Sequence, residues 1–300
     1  MLKRLHQIGL LPAWYKLKNL LVPDSEVVSI VSRNGAYEYL LRYKYACQKQ
    51  RETETLKPIK ESKYVWVCWF QGIENAPLLV QRCVDSIKRN NADKETILLT
   101  ENNMGQYVDF PDYILQKYRA GKMTRTHFSD ILRLHLLSRY GGVWIDSTIL
   151  MTEHLPKYIL DSPLFIYQTP SVIGHVCCAT GFMASCAHHP IIEDTLAIIN
   201  EYWKYENKLI SYSVIHLAIT MAVNSSEANM RMWKEMPLYY YADCEKLRIQ
   251  LNAPYEATTW QEMCQISAIH KLTYKFAEYG IDINKKGTFY DVLINANKDG

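Results

Sequence analysis

The chain has 300 residues, 48% hydrophobic, 22% charged and 12% aromatic, a composition that excludes a disordered protein and suits one large domain, alone or with small additions. A formal net charge of +3, without zinc-finger spacing or an aromatic-and-basic RNA motif, argues against nucleic acid as a partner. No apolar run is long enough to cross a bilayer.

The first 22 residues, MLKRLHQIGLLPAWYKLKNLLV, set Leu10, Trp14, Leu17 and Leu21 at helical spacing beside Lys3, Arg4, Lys16 and Lys18. Such a helix either lies on an anionic membrane surface or packs on the domain, and Pro12 interrupts it in both readings. Residues 36–55 read as a helix with Tyr37, Leu40, Leu41 and Tyr45 on its apolar face. The mixed-charge stretch RETETLKPIKESK that follows reads as a solvated linker.

YVWVCWF, residues 64–70, is a continuous apolar run of the kind that forms a strand buried on both faces. Pro77 opens a helix with Leu79, Val80, Cys83, Val84 and Ile87 in one stripe, and TILLT at 96–100 is the next strand. Strand, helix, strand is a βαβ unit, and ligands of parallel sheets sit beyond the carboxyl ends of the strands. Trp69, Gln71 and Gly72 therefore belong to a binding edge.

Thr126 or Ser129 is expected to cap a helix that runs to Tyr140 and stops at Gly141-Gly142. Phe128, Ile131, Leu132, His135 and Leu136 form its core stripe, and Asp130, Arg133 and Leu137 lie on another face. VWIDSTILM, 143–151, follows as one strand whose interior acid, Asp146, is costly unless paired or bound to metal. Asp146 and Thr148, alternate residues, would share a face.

The eight cysteines fall mostly in apolar stretches and read as reduced core thiols of a cytoplasmic protein. A metal cluster of Cys177, Cys178, Cys186, His188 and His189 is the less favoured alternative, because the adjacent cysteines lack CxxC spacing. Residues 164–167 read as a strand, 202–221 as one or two helices and 236–244 as a strand.

THFSDILRLHLLSRYGGVWIDST, residues 126–148, closely resembles the capsular polysaccharide synthesis family of glycosyltransferases, relatives of glycosyltransferase family 32 and more distantly of the glucosylating clostridial toxins. The resemblance covers residues 65–152, with a fainter match at IHKLTYK, 269–275. It implies an α/β domain of the GT-A type, with a mixed, mainly parallel sheet flanked by helices, over residues 61–300. Residues 1–60 would be a helical extension and linker. The implied reaction is transfer of a hexose, with retention, from a nucleotide diphosphate sugar to a saccharide or lipid-linked saccharide acceptor in surface polysaccharide assembly. A UDP-sugar is the leading donor, GDP-mannose the rival, and a non-catalytic sugar-nucleotide-binding protein the alternative from another class. Localisation would be cytoplasmic, with peripheral attachment to the inner membrane face through residues 1–22.

By the same resemblance Trp69 stacks on the nucleobase beside Gln71 and Gly72, while Asp130 and Arg133 hold the donor. Asp146 is the first acid of a DxD-like motif whose second acid is replaced by Thr148. His270 adds a ligand, with Asp146 and Thr148, to a divalent cation, Mn²⁺ or Mg²⁺, and Lys271 neutralises phosphate. Catalysis would rest on Asp130, Arg133 and Asp146. Residues 181–190 resemble the family's acceptor side.

Overall fold

Residues 26–47, 56–169 and 175–295 are described by a computed structural model. In chain order the helices are α1 (Glu26–Leu40), α2 (Leu78–Arg89), α3 (Asp112–Arg119), α4 (Arg125–Tyr140), α5 (Lys157–Leu160), α6 (Pro190–Tyr205), α7 (Val214–Val223), α8 (Glu227–Glu235), α9 (Tyr241–Gln250), α10 (Ala257–Ile266) and α11 (Phe289–Asn295). The strands are β1 (Tyr64–Cys68), β2 (Glu95–Leu99), β3 (Gly142–Ile145), β4 (Ile149–Met151), β5 (Leu164–Gln168), β6 (Cys178–Ser185) and β7 (Ile269–Lys271).

Five strands make one sheet in the order β2-β1-β3-β6-β5. β1 pairs in parallel with β2 and β3, whereas β6 runs antiparallel to β3 and β5. The sheet is therefore mixed, and the expected parallel arrangement holds for the β2-β1-β3 half. Strand alternation sorts the core. Trp66 and Trp144 face a cluster with α4, α6 and α7, while Val65, Val67, Val143 and Ile145 face the opposite cluster with Val84 and Ile87 of α2. A third cluster joins Leu79 and Cys83 of α2 to Leu247, Met263 and Phe289.

The chain turns from α4 into β3 over Gly141 and Gly142, with φ of 66° and 102°. Side chains there would meet backbone: a Cβ on Gly141 would lie 2.6 Å from the Ala187 nitrogen, and one on Gly142 2.5 Å from the Tyr64 carbonyl oxygen. The glycine stop thus fixes both the end of the helix and the close approach of β1 and β3. Trp66 Nε1 donates to the Gly141 carbonyl at 2.9 Å and pins this junction.

Several expectations change. The cap of α4 is Thr124, whose hydroxyl accepts from the His127 N–H at 3.2 Å, while Thr126 and Ser129 lie inside the helix. The expected strand 143–151 is two strands in two sheets. It breaks where the Ile149 N–H turns back to the Asp146 carbonyl at 2.9 Å, and β4 then pairs with β7. Thr148 hence lies inside the turn that Asp146 opens, and strand alternation does not relate them. Residues 236–244 are chiefly the approach to α9 and its first turn, with a single bridge from Tyr240 to Gln168.

The segment read as an extension and linker contributes to the core. Tyr37, Leu40 and Tyr43 are buried with α6 and α7, whereas Leu41 and Tyr45 are exposed because the helix tightens to 3-10 geometry at Leu41–Ala46 and the stripe rotates. In the linker Ile59 is fully buried and its N–H bonds the Ser162 carbonyl at 2.9 Å. The amphipathic segment 1–22 lies outside the described residues.

Candidate active site

Because β1 and β3 are parallel, Trp69 and Asp146 leave the sheet at the same edge. A cleft of about 410 Å³ opens there. Its floor is Arg133, Trp144, Asp146 and Lys271, and Trp69 and Tyr274 form part of its wall. A second cavity of about 240 Å³ adjoins it across Trp69, lined by Gln71, Gly72, Leu99 and Thr100.

The floor is a charge cluster. Arg133 reaches from the middle of α4 past the Trp144 ring, 4.9 Å from its centroid. It donates to the Thr180 carbonyl, and one nitrogen lies 3.0 Å from Asp130 Oδ1 and 3.2 Å from Asp146 Oδ1. Trp144 Nε1 donates to the same Asp146 oxygen at 2.9 Å, and Lys271 Nζ donates to Oδ2 at 2.6 Å. Burial opposes ionisation of Asp146, but Lys271 and Arg133 outweigh it and hold the carboxyl below its ordinary value of 3.8.

Asp130 and Arg133 are 8% and 3% exposed, so the pair is buried. His127 Nε2 accepts from Trp203 Nε1 at 2.7 Å. The proton of the neutral ring then sits on Nδ1, 3.5 Å from Asp130 Oδ2. Asp130 lies behind Arg133 and does not line the cleft. It steers the guanidinium.

The structure brings Trp69, Gln71, Arg133, Asp146, Thr148 and Lys271 to the cleft. Gly72, with φ of 86°, lines the adjoining cavity. His270 goes elsewhere: it alternates with Lys271 on β7, is buried with its ring 6.0 Å from Trp260, and burial pushes it down to about 4. Sequence reasoning missed Trp144, and it set Gly181 on the acceptor side without its contact with Asp146 and Lys271. A Cβ on Gly181 would stand 2.9 Å from Asp146 Oδ2 and 3.4 Å from Lys271 Nζ, so a glycine inside β6 leaves room for the pair. A glycine within a strand pattern was the available signal.

Five basic side chains line the cleft (Arg125, Arg133, Arg248, Lys271, Lys275) against two acids (Asp146, Glu245) among the described residues. Arg125, Arg133 and Lys275 are each also paired with a carboxylate outside the lining (Glu101, Asp130 and Glu278), so the surplus belongs to the cleft surface itself, where it favours an anion. A divalent cation fits less well. Mg²⁺ or Mn²⁺ takes hard oxygen donors, yet both Asp146 oxygens are engaged, and His270 is turned away. Among the described residues no three His, Cys, Asp or Glu side chains gather to hold a metal. At the sequence-suggested cluster Cys177, Cys178 and Cys186 are free thiols, His189 caps α6, and exposed His188 pairs with Glu193 at 2.8 Å.

An α/β domain whose anion-seeking cleft is floored by an arginine, an acid and a lysine is the class that fold and site define. Residues 22–293 match the family described as capsular polysaccharide synthesis protein, and the chain belongs to that family. It is 28% identical over 167 residues to O-glycosyltransferase braB of Annulohypoxylon truncatum, covering 50% of this chain and 40% of that protein. Glycosyltransferase afumC of Aspergillus fumigatus is 30% identical over 115 residues, covering 35% of this chain and 29% of its own length. The matches thus span less than half of these curated relatives. Among solved structures, PaToxG Glycosyltransferase aligns over 90% of this chain and 94% of its own, with a TM-score of 0.44 and 14% identity.

Proposed function

We propose that the chain is a glycosyltransferase of the GT-A type that transfers a hexose from a nucleotide diphosphate sugar, with a UDP-sugar as the leading donor. The observation that carries this reading is the Arg133–Asp146–Lys271 cluster, buried at Arg133 and half-buried at the other two, on the floor of a cleft whose lining is net basic. In such a transfer the bond from the anomeric carbon to the diphosphate oxygen breaks, and its electron pair stays with the diphosphate. The acceptor oxygen bonds the carbon and gives up its proton. Fixed cations beside the leaving oxygens stabilise the growing charge most where water is excluded.

Arg133 and Lys271 are the groups suited to that task, and Asp146 holds both in place. Asp130 fixes the guanidinium plane. Trp69, half-buried with Tyr274 edge-on at 5.3 Å, is suited to stack on the base, and Gln71 and Gly72 to meet its edge. Exposed Tyr212, Tyr274 and Tyr279 at the cleft rim offer flat faces to a saccharide acceptor, free or lipid-linked. Retention and a role in surface polysaccharide assembly complete this reading, supported by the family resemblance alone.

A thermal-shift series with UDP-sugars and GDP-sugars tests the reading, since a ligand of the native state raises its melting temperature. A rise with UDP-sugars and release of UDP in the presence of acceptor are expected. A rise confined to GDP-sugars would move the donor to that class, and no rise with either would refute the site. Stabilisation without turnover would favour a sugar-nucleotide-binding protein.

A further inference from the structure

The donor-site reading leaves one question open, which is what carries positive charge to the diphosphate. The sequence pointed to a cation on Asp146, Thr148 and His270; Thr148 does line the cleft, but the geometry disagrees at His270 and at Asp146. His270 faces Trp260. Thr148 accepts the Leu272 N–H on its backbone oxygen at 2.8 Å, which ties the Asp146 turn to the end of β7. The outer oxygen of Asp146 is occupied by the Lys271 ammonium at 2.6 Å.

Lys271 does not reach that oxygen by chance. The β4–β7 ladder sets it opposite Ile149, three residues beyond the acid. The missing side chain at Gly181 leaves the space in which oxygen and ammonium meet. Its side chain is 19% exposed and lines the cleft. An ammonium has three N–H donors, one of which is used on Asp146. Among the described residues the other two have no hydrogen-bond partner and are available to oxygens of a bound anion.

We infer that Lys271, anchored on Asp146, takes the place of a divalent cation at this site. Its ammonium supplies, with Arg133, the charge that meets the diphosphate, and donor binding does not require metal. The inference rests on the donor-site reading above. In it Asp146 is a positioning residue for two cations, which accounts for the threonine in place of a second acid: a further carboxylate would compete with the diphosphate for them.

The test is calorimetric titration of UDP, and of GDP in parallel, into the full chain in EDTA and in Mn²⁺. The same titrations follow for Lys271→Met and Lys271→Arg, with melting temperatures to confirm folding. Wild type is expected to bind one nucleotide with dissociation constants that agree within about threefold in the two media. Lys271→Met should lose tenfold or more in EDTA, and Lys271→Arg, which keeps the charge, should lose less. Wild-type binding that disappears in EDTA and returns with Mn²⁺ would overturn the lysine inference and leave the donor site standing. Equal binding by wild type and a folded Lys271→Met in EDTA would also overturn it. No binding of either nucleotide in any medium would refute the donor site itself. If Lys271→Met does not fold, the two wild-type titrations decide.

Discussion

A guanidinium that is 3% exposed and serves a carbonyl and two carboxylates cannot be deleted cleanly. Arg133→Ala would strand Asp130 and weaken the hold on Asp146, a loss of about 3–5 kcal/mol for a broken buried pair. Urea unfolding should show it as a clear fall in midpoint, where an unchanged midpoint would contradict the buried geometry. Asp146 has a pH signature. Its folded pKa lies below the ordinary 3.8 because Lys271 and Arg133 overcome burial. A carboxyl of that kind stabilises the fold above the unfolded value, and the contribution is lost as pH falls through the folded value. The stability gap between wild type and Asp146→Asn should therefore be full at about pH 6 and close below about pH 4. A gap that persists at low pH would mean that the charge is not what Asp146 contributes. Trp69 is only half-buried, so Trp69→Ala should weaken nucleotide binding about tenfold, the scale of one lost base–aromatic stack, with little change in melting temperature. Unchanged nucleotide affinity would remove Trp69 from the site.

At the scale of elements, α2, β1, α4 and its glycine stop were legible because each carries a local signal. These are a continuous apolar run, a 3.6-residue stripe, and paired glycines at positive φ. The break between β3 and β4 was not legible, since VWIDSTILM reads as one apolar run and only the antiparallel partner β7, over a hundred residues later, divides it. The same non-local pairing decides which of His270 and Lys271 faces the cleft, a parity that a three-residue strand cannot reveal alone. Trp69, Arg133 and Asp146 could be placed from sequence because their elements could. Tyr212 falls in the stretch 202–221 read as helical, whereas it lies in the turn before α7, so its place at the rim was not legible. The glycine stop gives a direct test: Gly142→Ala would set a Cβ 2.5 Å from the Tyr64 carbonyl oxygen at φ of 102°. It should cost more than about 2 kcal/mol by urea unfolding, since strain at a positive φ adds to a backbone clash. A loss below about 1 kcal/mol would mean that β1 and β3 yield easily there.

Across the whole molecule, three histidines, one buried and two half-buried, link stability to acidity. Burial pushes His135, His216 and His270 down to about 4, so the unfolded chain takes up protons near pH 6.5 that the folded chain refuses. Stability should be complete above about pH 6.5 and fall as pH drops toward about 4. Melting temperatures that stay flat across that interval would contradict neutral burial. The groups proposed for catalysis, by contrast, concentrate at one sheet edge, where α4, the end of β3 and β7 converge on a single acid. The most direct test of that convergence is the rate of sugar transfer by Arg133→Lys relative to wild type, on the donor that gives the largest thermal shift and at equal folded fraction. A lysine keeps the charge but cannot bridge Thr180, Asp130 and Asp146 with one planar fork. A fall of about a hundredfold or more is expected, the scale of losing one oriented donor at a developing anion. A folded Arg133→Lys that transfers sugar at the wild-type rate would contradict it.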